Sequence, residues 1–232
     1  QSTQAFMKIL LFDIDGTLLL TGGAGLRAMN RAFVHLYGIE EKFSGKNLAG
    51  RTDTSIFRDA AEECGFPYDA DALEEFKEEY FAALPQELNP PARDKRLMPG
   101  VQELLTALNA RDDVYLGLLT GNWQKSGYLK LAVFGLDRFF TFGAFSDDSE
   151  IRPDLLPYAV RRFQLKYNRK PQPQDIFVIG DTPSDIQCAK PHGAVSVAVA
   201  AAHYKEKDLR PFQPDHILAD FTDLDAALRI LG

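Results

Sequence analysis

Ile9-Leu10-Leu11-Phe12-Asp13-Ile14-Asp15-Gly16-Thr17 sets four apolar residues directly before two carboxylates one residue apart. The apolar run reads as a strand. Its C-terminal mouth then carries both acids, at the place where open α/β sheets keep their ligand sites. Alternation along an extended chain puts residues i and i+2 on one side, so Asp13 and Asp15 can address the same ligand. Gly16 lets the backbone turn sharply. One carboxylate of such a pair can attack phosphorus while the other gives a proton to the leaving oxygen and later takes one from water. An Asp-rich turn after a strand would look the same on this stretch alone, because Asp-Gly is common in turns.

Further segments supply the context. Tyr115 to Leu119 reads as a strand leading into Thr120-Gly121-Asn122, a hydroxyl with turn backbone donors. Ile176 to Ile179 leads into Gly180-Asp181-Thr182-Pro183-Ser184-Asp185, with two more carboxylates. Between them Arg152-Pro153 opens a stretch in which Leu155, Ala159, Phe163 and Tyr167 recur every four residues, as on one helical face. Pro153 fits a first helical position, which places Arg152 just ahead of a helix start.

The order and context of these groups resemble the haloacid dehalogenase-like hydrolase superfamily, in its phosphatase branch, close to phosphoglycolate phosphatase-like proteins. The resemblance runs from Asp13 to Asp185. It implies Asp13 as nucleophile and Asp15 as general acid/base. Thr120 matches the hydroxyl that holds the transferring phosphoryl group, and Arg152 stands where the family carries Lys or Arg. Asp181 and Asp185 match the acidic metal-binding motif. Gly16, Gly121 and Asn122 fall at substrate-binding positions. One departure is that this branch often has Lys-Pro where Arg152-Pro153 stands; Arg keeps the charge and can fork onto phosphate, with a different reach.

A phosphate ester and several carboxylates repel one another, so an active cluster of acids requires a cation. Oxygen ligands beside phosphate favour Mg²⁺. Asp13, Asp181 and Asp185 are the expected side-chain ligands, with the Asp15 backbone carbonyl added by the resemblance. Asp15 must be protonated when the leaving alkoxide departs, so its pKa is expected to rise in the assembled site, driven by neighbouring acids and restricted solvent.

Composition fits a soluble enzyme. The 232 residues, 45% hydrophobic and 25% charged, allow a sizeable core and a smaller second unit. The net charge of −7, with no long basic stretch, argues against a nucleic-acid partner. Two cysteines, Cys64 and Cys188, do not suggest a disulfide framework, and a cytoplasmic setting is expected. No signal-like block or membrane-spanning run is visible. Gln1 to Phe6 precede Met7 and are expected to be an added segment foreign to the fold.

After Asp15 the chain turns largely helical: Gly25 to Tyr37, Thr52 to Cys64 and Ala70 to Leu84, with breaks at Gly38, at Gly65 to Pro67 and at Pro85. Strand-like runs resume after Pro90, with helices at Val101 to Leu108 and Ser126 to Phe134. The expected fold is therefore α/β: a Rossmann-like parallel sheet core with helices on both faces, residues 7–19 and 96–232, and an inserted helical cap, residues 20–95. Gly22-Gly23 and the approach from Arg93 to Met98 are expected hinges. In the cap, Gly50-Arg51-Thr52-Asp53 is the best candidate for substrate selection. Arg51 could bind a leaving-group carboxylate through two hydrogen bonds, with Thr52 beside it; the same residues also read as a helix start capped by Thr52 or Asp53. His35, His192, His203 and His216 show no metal-like spacing and are read as surface or packing residues. Trp123 and Cys188 are read as packing residues.

The expected activity is Mg²⁺-dependent hydrolysis of a small phosphorylated metabolite, with a phosphoglycolate-like compound as first choice. A sugar phosphomutase uses the same core but must return the phosphoryl group, and no cap residue set stands out to enforce that. Dehalogenation would not need Asp15, Asp181 and Asp185. A phosphorylation-controlled interaction domain would lack both the cap and the Asp15 proton donor.

Overall fold

The run before Asp13 is the central strand of a parallel sheet in the computed structural model, which describes residues 7–232; Gln1 to Phe6 lie outside the described residues. β1 (Lys8–Phe12) and a short β2 (Leu19–Thr21) precede α1 (Ala24–Tyr37), α2 (Asp53–Cys64) and α3 (Ala70–Leu88). β3 (Lys95–Leu97), α4 (Val101–Asn109), β4 (Val114–Leu119), α5 (Gln124–Ala132) and β5 (Gly143–Ala144) follow. The remaining elements are α6 (Leu155–Tyr167), β6 (Ile176–Gly180), α7 (Pro183–Ala189), β7 (Val195–Val199), α8 (Glu206–Leu209), β8 (His216–Leu218) and α9 (Leu224–Leu231). No described helix is long and apolar enough to cross a membrane.

Six strands pair in the order β5-β4-β1-β6-β7-β8, all parallel. Both faces of β1 are buried, which is why its sequence is continuously apolar. Leu10 and Phe12 pack with Leu104, Leu105 and Leu108 of α4, whereas Ile9 and Leu11 pack with Leu155, Ala159 and Phe163 of α6. Each large side chain buried in this way contributes roughly 1.5–3 kcal/mol. The four-residue spacing seen in the sequence thus becomes the inner face of α6, reached through a tight turn at Arg152–Asp154.

Register fixes the site. Phe12 lies level with Leu118 of β4 and Ile179 of β6, so Asp13, Thr120 and Asp181 emerge at one rim of the sheet. The Asp13 N–H extends the pairing by donating to the Ile179 carbonyl at 2.9 Å. β1 is also where strand order departs in two directions, the switch point that leaves a crevice beyond the strand ends.

α1, α2 and α3 bury a separate cluster that includes Phe33, Phe57, Phe76 and Tyr80, joined by Trp123 from the loop after β4. Phe57 stacks on Phe76 at 4.4 Å, and Trp123 meets Tyr80 edge-on at 5.4 Å. The two connections into this helical segment run side by side as an antiparallel ribbon, Leu19↔Leu97 to Thr21↔Lys95. The strand at Leu19–Thr21 is not among the elements expected from sequence, being only three residues long. The sequence also predicts an end to α3 at Pro85, yet the helix continues to Leu88 with Pro85 inside. Burial of Leu84 and Leu88 on the same face outweighs the hydrogen bond that proline cannot donate.

Candidate active site

Asp13, Asp181 and Asp185 each place one carboxylate oxygen within 4.8 Å of the others. Asp13 stands at the end of β1 and Asp181 at the end of β6. Asp185 sits in the first turn of α7, where its Oδ2 accepts from the Thr182 N–H at 3.0 Å and hydroxyl at 2.8 Å. That reciprocal cap fixes the carboxylate while leaving Oδ1 to Arg152. Arg152 is buried rather than solvated, with Nη2 at 2.6 Å from Asp185 Oδ1 and 3.1 Å from Asp13 Oδ2. Burial would lower its pKa, but the charges of Asp13 and Asp185 hold it well above the ordinary arginine value. Burial raises Asp13 to about 7, with Asp185, Asp181 and Asp15 adding to the shift and Arg152 opposing it. Burial also raises Asp181, against the hydrogen bond from His203.

Asp15 has a different setting. It is half-buried, and its Oδ2 accepts from Lys130 Nζ at 2.7 Å and from Asn122 Nδ2 at 2.8 Å. Lys130 also donates to Asn122 Oδ1 at 2.6 Å. Burial pushes the Asp15 carboxyl up, but the charge and hydrogen bond of Lys130, with Asn122, bring it below the ordinary value. In this arrangement Asp13 carries the raised pKa and Asp15 the lowered one, while the rise expected of Asp15 belongs to the assembled site. Thr120 is buried beneath this pair, and its Oγ1 accepts from the Asn122 N–H at 3.3 Å and from Nδ2 at 2.8 Å.

Residues 10–199 match the sequence pattern of haloacid dehalogenase-like hydrolases, a range that takes in the sheet from β1 to β7 and every acid described above. The chain belongs to the haloacid dehalogenase-like hydrolase family. Among its relatives, the pyrophosphatase PpaX of Halalkalibacterium halodurans is 28% identical over 224 residues, covering 94% of this chain and 95% of that one. A predicted phosphoglycolate phosphatase from Haemophilus somnus superimposes with a TM-score of 0.69 at 22% identity, covering 98% of this chain and 100% of that one. A hydrolase from Pseudomonas syringae gives a TM-score of 0.70 at 20% identity, over 96% and 98% of the two chains.

The donor set of this haloacid dehalogenase-like hydrolase fits Mg²⁺. Three buried carboxylates converge, no softer ligand lies among them, and Asp13, raised chiefly by burial, is pushed further by Asp185 and Asp181. Thr17 donates to Asp181 Oδ1 at 3.2 Å, fixing that carboxylate from the other side.

A cavity of about 350 Å³ opens over the rim, lined by Asp13, Asp15, Gly121, Asn122, Arg51 and Arg152 among others. Two expected substrate contacts are placed otherwise. The Gly16 N–H is taken by the Leu19 carbonyl at 2.9 Å, and the residue, at φ +84°, packs against Asp181 and His203. Thr52 is buried as the cap of α2: Oγ1 accepts from the Ser55 N–H at 3.2 Å and donates to the Glu150 carbonyl at 2.7 Å. Arg51 lines the cavity, but its Nη2 lies 2.5 Å from Asp59 and 3.1 Å from the Ser55 carbonyl. Gly121 is small for a reason: a side chain there would run into the Arg51 carbonyl, so its lack of Cβ lets the loop before α2 reach the sheet rim.

Lys130 and His203 were missed. His203, read as a surface or packing residue, has Nδ1 at 2.7 Å from Asp181 Oδ2 and lines the cavity. Lys130 left one signal, a lysine on the face of α5 that carries buried Ser126, Gly127 and Leu131.

Asp53, the last residue of the Gly50-Arg51-Thr52-Asp53 candidate and also read as a helix cap, is a buried cavity acid whose Oδ2 accepts from the Trp123 N–H at 3.0 Å. Burial raises it to about 7 against the pull of Lys130. The folded value lies above the unfolded one of about 3.9. Its contribution to stability is thus full below about pH 4 and lost as pH rises through about 7. Asp53→Asn, whose amide oxygen can still accept from Trp123, is expected to unfold like the wild type at pH 4. At pH 8 it should be more stable, by at most about 4 kcal/mol for a shift of roughly three units. Urea titrations with the same difference at both pH values would remove the buried charge from this account.

Proposed function

We propose that this hydrolase is a phosphatase that cleaves small phosphomonoesters through an aspartyl-phosphate on Asp13, with Mg²⁺ as its ion. The observation that carries the reading is the convergence of Asp13, Asp181 and Asp185 oxygens within 4.8 Å at a rim where Arg152 and Asp15 also face one cavity. In this reading an Asp13 carboxylate oxygen attacks phosphorus, the P–O bond to the alcohol breaks, and Asp15 gives the alkoxide a proton. Water then attacks phosphorus and passes a proton to Asp15; the bond to Asp13 breaks and phosphate leaves.

The side chains divide the work. Arg152 holds Asp13 and Asp185 and presents positive charge to the phosphoryl oxygens. Thr120 accepts both of its hydrogen bonds from Asn122, which leaves its O–H to donate to a phosphoryl oxygen. Asp13, Asp181, Asp185 and the Asp15 carbonyl would hold Mg²⁺, which when bound would supply the charge that screens nucleophile from phosphate. A phosphate dianion between Asp13 and Asp15 adds negative charge and displaces water, and both raise Asp15 toward its proton-donating form. Residues 20–95 serve as a cap whose closure keeps water from the intermediate until the alcohol has left. A cytoplasmic setting suits the free Cys64 and Cys188.

Incubation with p-nitrophenyl phosphate and Mg²⁺ tests the reading. Many nitrophenolate molecules are expected per protein. One stable labelling event per chain would instead make this a phosphorylation-controlled switch.

A further inference from the structure

The cavity over Asp13 has two unlike ends. Toward the sheet lie the acids with Arg152; on the other side lie Leu26 and Met29 of α1, Ile56 of α2, Leu20 of β2 and Leu48 of the loop before α2. Four basic side chains line it, Arg51, Lys130, Arg152 and His203, and each is matched by an acid. Arg51 pairs with Asp59, Lys130 with Asp15, Arg152 with Asp13 and Asp185, and His203 with Asp181. Asp53 and Asp94 add two further acids to the wall. A second anionic group at the helical end would find apolar side chains and the acids Asp53 and Asp94, with no lining cationic side chain left uncommitted to receive it.

We infer that the preferred substrate is the phosphate ester of an uncharged, largely apolar alcohol, and not an ester whose leaving group is a carboxylate or a second phosphate. The inference rests on the phosphatase reading and narrows it. The cavity is at the small end of ligand sites, so the alcohol is a short one. The pairing of Arg51 is the switch for this preference. Asp59 sits 2.5 Å from its Nη2, and the same carboxylate receives Arg58 at 2.9 Å. The guanidinium that the sequence offers as a carboxylate clamp is therefore already engaged by Asp59 of α2.

The test compares kcat/KM of the full chain with Mg²⁺ on methyl, butyl and hexyl phosphate, phosphoglycolate and pyrophosphate. Alkyl alkoxides differ little as leaving groups, so the series reads the cavity wall. Burial of each added methylene should raise efficiency about three- to fourfold until the space is filled. Butyl phosphate should then exceed methyl phosphate at least about tenfold, with phosphoglycolate and pyrophosphate below butyl. A flat alkyl series, or phosphoglycolate or pyrophosphate ahead of butyl phosphate, overturns the inference while leaving a phosphatase. Failure to hydrolyse any ester, p-nitrophenyl phosphate included, overturns the phosphatase reading itself. In Asp59→Asn, Arg51 is released, and the ratio of phosphoglycolate to butyl phosphate efficiency should rise. An unchanged ratio in that variant would show that the Arg51 pairing does not exclude carboxylates.

Discussion

Asp13→Asn is expected to abolish turnover and leave a folded protein. The amide keeps the shape of the side chain but cannot form the acyl phosphate, and loss of a covalent nucleophile costs on the order of 10⁴-fold or more. Structure argues that the fold tolerates the change. Asp13 is buried beside Asp181 and Asp185, and its carboxyl is pushed to about 7, so its charge is poorly housed at neutral pH. Removing one partner of a buried ion pair normally costs about 3–5 kcal/mol because the other charge is stranded. Arg152 is not stranded, since Asp185 remains at 2.6 Å. The net change in unfolding free energy should therefore stay within about 1 kcal/mol, well below the stranded-charge figure. Steady-state hydrolysis within tenfold of the wild type would reject Asp13 as nucleophile.

Removing divalent ions is expected to have an effect of similar size. Without a cation, the phosphate dianion must approach three carboxylates whose oxygens lie within 4.8 Å of each other. Asp13 at about 7 is then partly protonated at neutral pH and weak as a nucleophile. Chelation should take p-nitrophenyl phosphate hydrolysis to background, and Mg²⁺ should restore it. Asp181→Asn should raise the half-saturating Mg²⁺ concentration at least about tenfold, the scale on which even supporting contacts to a metal site act. This variant keeps the hydrogen-bonding shape that Thr17 and His203 grip, so the two measurements separate ion binding from folding. Chelated protein, shown to be free of divalent ions, that still works at the original rate would remove the ion from the chemistry.

Much of this architecture is legible in the sequence because its determinants are local. Ile9–Phe12 is continuously apolar because both faces of β1 are covered, and the acids that end β1 and β6 follow directly from those runs. The Leu155, Ala159, Phe163 spacing likewise becomes the inner face of α6. What was not legible depends on residues far apart in the chain. Lys130 reaches Asp15 across 115 positions, and its charge decides the direction in which the Asp15 pKa moves. Neighbouring acids alone, which are all that the motif displays, point the wrong way. His203 lacks metal-like spacing because its partner is one carboxylate on another strand end, Asp181. Arg51 reads as free only until α2 folds and brings Asp59 against it.

Trp123 is the chain's single tryptophan, fully buried among Phe76, Tyr80 and Phe81 of α3, with Nε1 donating to Thr54 of α2 at 2.9 Å. It stands only three residues beyond Thr120, at the seam between the helical segment and the sheet rim. The tryptophan emission of this protein, excited apart from its eight tyrosines, is consequently a built-in optical gauge with one address. Any lifting of α2 and α3 from the rim wets the indole and shifts its emission to the red, while loosening at β7 or α9 leaves the spectrum where it was.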